Sequence, residues 1–251
     1  SRMQVPAFLG SSFAFLGGFY TIANLKTGIY ETMSVNDKAA YACGGIVVAG
    51  VLYLVLALVI KLIGIKKVMR FLPPVVTGPM IICIGLSLAP SAVSNASQNW
   101  LLAIIALGTV IIFNIWGKGM IKIVPILLGV VASYVFALIV DPATRENVAA
   151  SVAAANWFGF PVIWENTALS IFGADLDVSM LLTAVITIAP ISLATIVEHV
   201  GDMCAISSTV GKNYVEDPGL HRTLVGDGLA TTLSALFGGP ANTTYGENTG
   251  V

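Results

Sequence analysis

Charge is what this chain has least of. Acidic and basic residues fill 10% of its 251 positions, less than half the roughly 25% of an average soluble domain, which argues against a soluble globular fold. Neither sign dominates, since 12 Lys and Arg stand against 13 Asp and Glu for a net charge of −1. Without a basic excess, nucleic acid is not a candidate partner. Cysteine is scarce too: Cys43, Cys83 and Cys204 lie far apart in apolar surroundings, fitting neither a disulfide framework nor a metal-ligand cluster. Signatures of catalysis are missing as well. Glu198-His199 is not the H-E-x-x-H of a zinc protease, Gly10-Ser11-Ser12 lacks the G-x-S-x-G elbow, and no P-loop or dinucleotide motif occurs. The expectation is a protein that is not an enzyme and needs neither cofactor nor metal.

What the chain has is long stretches free of charge. About 20 helical residues cross a ~30 Å hydrocarbon layer. Runs of 23, 22 and 20 residues without Asp, Glu, Lys or Arg lie between Arg2 and Lys26, Lys38 and Lys61, and Asp177 and Glu198. Another 47 run from Phe71 to Gly117, divided by the polar stretch 91–98, and 18 more from Ile123 to Val140. With a shorter run after Arg222, interrupted by Asp227, the pattern predicts an all-α polytopic membrane protein with seven spans and the start of an eighth near Pro240. Placing Ser1 on the cytoplasmic side gathers Arg2, Lys61, Lys66, Lys67, Arg70, Lys118, Lys122, Lys212 and Arg222 inside, leaving only Lys26, Lys38 and Arg145 outside. That asymmetry satisfies the positive-inside rule, and segment 141–177 becomes an extracellular loop. The first residue is not Met and the last follows a Gly-rich stretch, so an internal fragment of a longer protein is expected.

Two spans are interrupted. Val5-Pro-Ala-Phe-Leu-Gly-Ser-Ser runs extended before an apolar helix that Ser11 or Ser12 can cap, and Gly238-Gly-Pro-Ala-Asn-Thr-Thr-Tyr-Gly-Glu repeats that grammar with a helix start at Gly246 or Glu247. Such breaks aim helix N-termini into the membrane, as transporter binding sites do. Close packing through Gly is the bland alternative. Acids fall in the same region. Glu198 and Asp202 are spaced i, i+4 on one helix face, past a break at Pro190, where an ionised carboxylate in lipid costs on the order of 3 kcal/mol. Asp227 reads as either buried or close to the inner boundary. His199, about 100° around the helix from Glu198, reads as a packing residue on another surface.

At Glu198-His-Val-Gly-Asp202, Asp217-Pro-Gly-Leu-His-Arg222 and Asn242-Thr-Thr-Tyr-Gly-Glu-Asn-Thr-Gly250 the sequence resembles the nucleobase–ascorbate transporter family of nucleobase:cation symporters, with bacterial uracil permeases nearest. Pro6-Ala-Phe-Leu-Gly-Ser-Ser-Phe-Ala-Phe15 and Phe71-Leu-Pro-Pro74 extend the resemblance through most of the chain. It implies an inverted-repeat fold of fourteen spans with two short β-strands, near Pro6 to Leu9 and Asn242 to Tyr245, in the broken spans. It divides the chain into core-domain parts at 1–64 and 178–251, a gate-domain part at 65–140 and the loop at 141–177. By similarity Glu198, Glu247, Phe13, Tyr245 and Gly246 bind the base, with Ser12, Asn248 and His199 supporting. Glu198, Asp202 and Asp227 are the candidates for proton coupling. The resemblance further implies proton-coupled uptake of uracil by alternating access, a multi-pass place in the cytoplasmic membrane and a homodimer through gate spans. Uracil permeases of this type often carry His at the position of Asp202 and Asn at that of Asp227, whereas xanthine transporters carry Asp at both but Gln at that of Glu247. A xanthine or urate permease, and an uncoupled facilitator or channel, are the alternatives.

Overall fold

The computed structural model describes residues 5–64, 66–67, 70, 74–155, 157–159, 162–173 and 176–246. Glu247 and Asn248 therefore lie outside the described residues, as do Phe71 to Pro73. The chain divides into two compact units, residues 1–84 with 160–250 and residues 85–159.

The first unit is built around α2 (Val35–Ile63). Its charge-free interior propagates without interruption, Ser34 caps its start by accepting from the Asp37 N–H at 3.1 Å, and Gly64, at φ 89°, ends it. Against α2 pack α1 (Leu16–Ala23), α8 (Val178–Ile188), α9 (Ile191–Val210) and α10 (Leu220–Leu236). Its crossing with α10 is tight. A Cβ on Gly228 would stand 2.8 Å from Tyr53 Cβ and 3.0 Å from the Gly50 carbonyl, so only glycine allows the backbones to meet there. Residues 178–210 break at Pro190, as expected, because the ring removes a helical N–H and the chain restarts at Ile191.

The two interrupted spans pair with each other. Strand β1 (Leu9–Ser11) runs antiparallel to β2 (Asn242–Thr244), matching Leu9 with Thr244, Gly10 with Thr243 and Ser11 with Asn242. The second strand lies where the sequence put it. The first is displaced toward the C-terminus from the expected Pro6 to Leu9, because the pairing is registered by the Ser12 N–H donating to the Ala241 carbonyl at 2.8 Å. A 3-10 turn, Phe13–Phe15, then leads into α1. Ser12 precedes that turn without capping it, contrary to expectation: its side chain makes no cap hydrogen bond, since its extended backbone is already held by the strand.

The second unit contains α4 (Trp100–Trp116), α5 (Met120–Ile123), α6 (Pro125–Val140) and α7 (Pro142–Ala154), preceded by most of α3 (Pro74–Ser97). The segment 141–177, expected to be an extracellular loop, opens with α7, bent by 108° from α6. The reason is local. Asp141 accepts from the Ala143 N–H at 3.1 Å and Pro142 occupies the first helical position, together a helix start signal. Among the described residues two helical stretches, Val35–Ile63 and Val178–Val210, are long and apolar enough to cross a membrane, or three if α6 and α7 count as one bent span. The expected seven counted charge-free sequence. Shorter apolar helices, Phe13–Ala23 and Trp100–Trp116, fall in two further runs of the expected seven.

Candidate functional site

The strand pair creates a small aromatic platform. The Tyr245 N–H donates to the Phe8 carbonyl at 2.9 Å, and its hydroxyl donates to the Ser11 carbonyl at 2.6 Å, so the ring is folded back over β1. Gly10 makes room for it, since a Cβ there would come within 2.7 Å of the ring. Phe13 stacks beside it with centroids 6.3 Å apart and an 18° interplanar angle, while remaining half exposed. Two predicted site residues, Phe13 and Tyr245, are thus brought together by a register that only glycine at position 10 allows.

Beneath β2 lies a buried polar network. Thr231 of α10 donates to the Asn242 carbonyl at 2.9 Å and accepts from the Asn242 N–H at 3.1 Å, and the Asn242 side-chain amide donates to the Ala230 carbonyl at 3.2 Å. These bonds clamp the strand to the helix in place of further sheet partners. One residue along, the Thr244 hydroxyl lies 3.3 and 3.2 Å from the two oxygens of Asp227. His199 Nδ1 reaches the same carboxylate at 2.7 Å and the Thr244 hydroxyl at 3.0 Å, and its Nε2 lies 2.9 Å from the Thr223 hydroxyl. His199, Asp227 and Thr244 are each at least 98% buried. Asp227 is therefore an interior residue of the first unit. His199 does face a different surface from Glu198, as expected, but that surface is the hydrogen-bonded one, so the purely packing role is corrected.

On α9, Glu198 is half-buried and Asp202 is buried. The Asp202 carboxylate sits against the backbone at the end of β2, where a Cβ on Gly246 would overlap it. Gly246 and Asp202 are thus close neighbours. Tyr53 of α2 donates to the Thr195 hydroxyl at 2.6 Å and lies near enough to both Glu198 and Asp227 to interact with each electrostatically. Ser12 is buried and borders a cavity of about 190 Å³ lined by Phe15, Leu16, Phe19, Ile46 and Pro240 as well. Its hydroxyl has no hydrogen-bond partner among the described residues. Glu247 and Asn248, named from the sequence, fall outside the described residues. Sequence reasoning missed Thr223, Thr231 and Thr244. Their signal was the density of hydroxyl residues at 223–244 in an otherwise apolar chain. Among the described residues no group of three or more His, Cys, Asp or Glu is arranged to hold a metal ion.

Residues 1–251 match the profile described as the Permease family. The chain is similar to the uracil permease of Bacillus caldolyticus, at 38% identity over 260 aligned positions covering 100% of this chain and 55% of that protein. It is likewise similar to the probable uracil permease of Haemophilus influenzae, at 38% over 256 positions, with 98% and 55% covered. For the uracil permease of Bacillus subtilis the figures are 35% over 264 positions, with 100% and 56% covered. The chain spans about half the length of these curated relatives.

Proposed function

The chain belongs to the Permease family, and from that premise we propose that the protein of which it forms part carries uracil across the cytoplasmic membrane together with a proton, by alternating access. Membership places the chain among membrane transporters rather than enzymes. The observation that carries the proposal is the meeting of three features: a pair of short antiparallel strands, an exposed aromatic face on it, and Asp202 of α9 against Gly246 just past β2.

Uracil is flat, uncharged and rimmed by N–H donors and carbonyl acceptors. In the proposed site Phe13 and Tyr245 offer it a flat surface, Glu198 and Glu247 accept from its N–H groups, and the backbone at Gly246 donates to a carbonyl. A buried group left unpaired costs about 1–3 kcal/mol, and sites built from such bonds can reject a substrate lacking the matching group by roughly 10⁴-fold. That chemistry favours an oxo-pyrimidine over a sugar or an amino acid. Proton entry supplies the drive, because one charge crossing ~100 mV contributes about 2.3 kcal/mol, enough for roughly 50-fold accumulation. In this reading the inverted repeats divide into a core that carries the site and a gate against which it moves, and two copies assemble through the gate.

A second substrate is favoured by one observation, the presence of Asp at both 202 and 227, the pair that xanthine-transporting members of the resembled family carry. Whole-cell uptake of labelled uracil by the full-length protein at two external pH values, with xanthine as competitor and Glu198→Gln and Glu247→Gln alongside, tests both readings. Uptake should rise at the lower pH and fall at least 10-fold in each variant. Stronger competition by xanthine than by unlabelled uracil at equal concentration would assign the purine instead, and uptake indifferent to pH and to a protonophore would make the protein a facilitator.

A further inference from the structure

Two segments far apart in sequence bring basic residues together at one end of α2. Ile60 of α2 and Leu220 at the start of α10 are buried in the same apolar cluster, along with Tyr214 and Val215. Their chain neighbours Lys61 and His221 therefore meet at its rim, where Lys61 and Arg222 both act electrostatically on the imidazole. The His221 ring is folded back against Gly219, where a Cβ would stand 2.9 Å from it. Past α2 the basic character continues in Lys66, Lys67 and Arg70, all exposed. Segments 61–70 and 211–222 together hold six Lys and Arg against two acids, Glu216 and Asp217. Those acids are exposed and, among the described residues, form no ion pair with Lys61, His221 or Arg222. Like charges held together without a counter-charge repel one another. Burial, then Arg222 and Lys61, accordingly hold the His221 pKa below its ordinary value of 6.5. The same end of α2 is apolar on its outside. Leu58, Leu62 and Ile63 are exposed there, on a helix long and apolar enough to cross a membrane. Lys61 thus stands where hydrocarbon gives way to headgroups.

We propose that Lys61, His221 and Arg222, together with Lys66, Lys67 and Arg70, form a docking surface for the headgroup of an anionic phospholipid. The phosphodiester supplies the negative charge that Glu216 and Asp217 do not bring to the cluster. A guanidinium such as that of Arg222 can donate to two phosphate oxygens at once, whereas Lys61 acts as a point charge. The acyl chains then cover Leu58, Leu62 and Ile63. A free phosphate would answer the charges and leave those side chains bare, so the lipid is the better occupant. A general excess of positive charge on one membrane face would be served equally by Lys118 and Lys122, which belong to the other unit. The convergence of Lys61, His221 and Arg222 is local. It stands apart from uracil and from proton coupling, and requires only that the protein reside in a membrane.

The experiment titrates phosphatidylglycerol and phosphatidylcholine separately onto the full-length protein in detergent, and counts bound lipid by native mass spectrometry. Wild type should prefer phosphatidylglycerol. Each Lys or Arg at an anionic headgroup strengthens binding by about fivefold, so Lys61→Gln with Arg222→Gln should weaken phosphatidylglycerol on the order of 25-fold, and each single change by about fivefold. Lys118→Gln with Lys122→Gln removes as much charge and should leave the preference intact. A second readout is the imidazole resonance assigned through His221→Gln. Bound phosphatidylglycerol should move its titration midpoint to higher pH, because phosphate favours the imidazolium. The proposal is overturned if the Lys61, Arg222 double variant keeps the wild-type preference, if the Lys118, Lys122 variant loses it equally, or if the His221 midpoint stays still. Displacement of the lipid by inorganic phosphate at constant ionic strength would also overturn it, by making the ligand a free anion.

Discussion

In the unit formed by residues 1–84 and 160–250, the buried polar side chains run from Ser12 and Lys38 through Thr195, His199 and Asp202 to Asp227, Thr231 and Thr244. In the unit of residues 85–159, only Pro125, Gly129 and Ala137 are buried among the described residues, and none of them carries a polar side chain. Both units contain apolar helices, yet they differ in what they bury. The second turns Ile, Leu and Val outward and brings α4 and α6 together where a Cβ on Gly129 would strike Val110 and the Ala106 carbonyl. The first encloses groups that lipid cannot hydrate and bonds them to one another. Polar burial costs free energy unless paired, and among the described residues it is confined to the first unit.

The sharpest way to break that contrast is to remove one partner from the buried pair. Asp227→Leu strands His199 Nδ1 and the Thr244 hydroxyl, and should lower stability by about 3–5 kcal/mol. Ser133→Ala in the second unit removes only a hydroxyl bonded to Val130 within its own helix, and should stay within about 0.5 kcal/mol. Unfolding of the two variants in a common detergent compares them. Equal midpoints would show that the buried network contributes nothing special to the fold.

How much of this was legible beforehand depends on whether the signal was local. Charges inside charge-free runs are visible to simple counting, so Glu198, Asp202 and Asp227 were singled out, and Pro190 announced its own break. The strand at Asn242 to Tyr245 is implied by the family resemblance, on a short β-prone run that Gly and Pro precede. The register of β1 was not legible, because it is set by a partner more than 230 residues away. The role of His199 was hidden for the same reason. Helical periodicity says that it faces away from Glu198, but which groups wait on that side is decided by the folding of α10 and β2 against α9. For Glu247 the sequence remains the whole warrant, since it lies outside the described residues.

Smaller effects sharpen the comparison. Gly228→Leu forces a side chain between α10 and α2, where Tyr53 Cβ and the Gly50 carbonyl leave no room, and should cost at least about 1–3 kcal/mol. A Cβ on Gly108 of α4 meets nothing within 4 Å, so Gly108→Ala should be neutral or slightly stabilising, since alanine is the better helix former. Thr231→Val keeps the shape of α10 but leaves the Asn242 N–H and carbonyl without their hydroxyl partner. A loss of about 1–3 kcal/mol is expected, accompanied by faster amide exchange at β2 than at α2. Unaltered exchange at Asn242 would show that the strand is held by its pairing with β1 alone.

The smallest effect belongs to the second unit, at the corner between α6 and α7. Asp141 joins α6 to α7, and its carboxylate accepts from the Thr144 hydroxyl at 2.6 Å and the Ala143 N–H at 3.1 Å. Those bonds, the hydroxyl first, hold its pKa below the ordinary carboxylate value of 3.8. A lowered folded-state pKa means that the ionised cap steadies α7 above the ordinary value and that the benefit fades as pH falls through the folded one. Because both bonds lie within the first residues of α7, only its first turn should respond. Amide exchange there, taken relative to α6 to remove the intrinsic pH dependence, should accelerate between pH 5 and pH 3 in the wild type. Asp141→Asn, which still caps but does not ionise, should abolish that acceleration. If it persisted in the asparagine variant, the pH sensitivity would have to come from elsewhere in the corner, with Glu146 on the same helix the nearest acid in sequence.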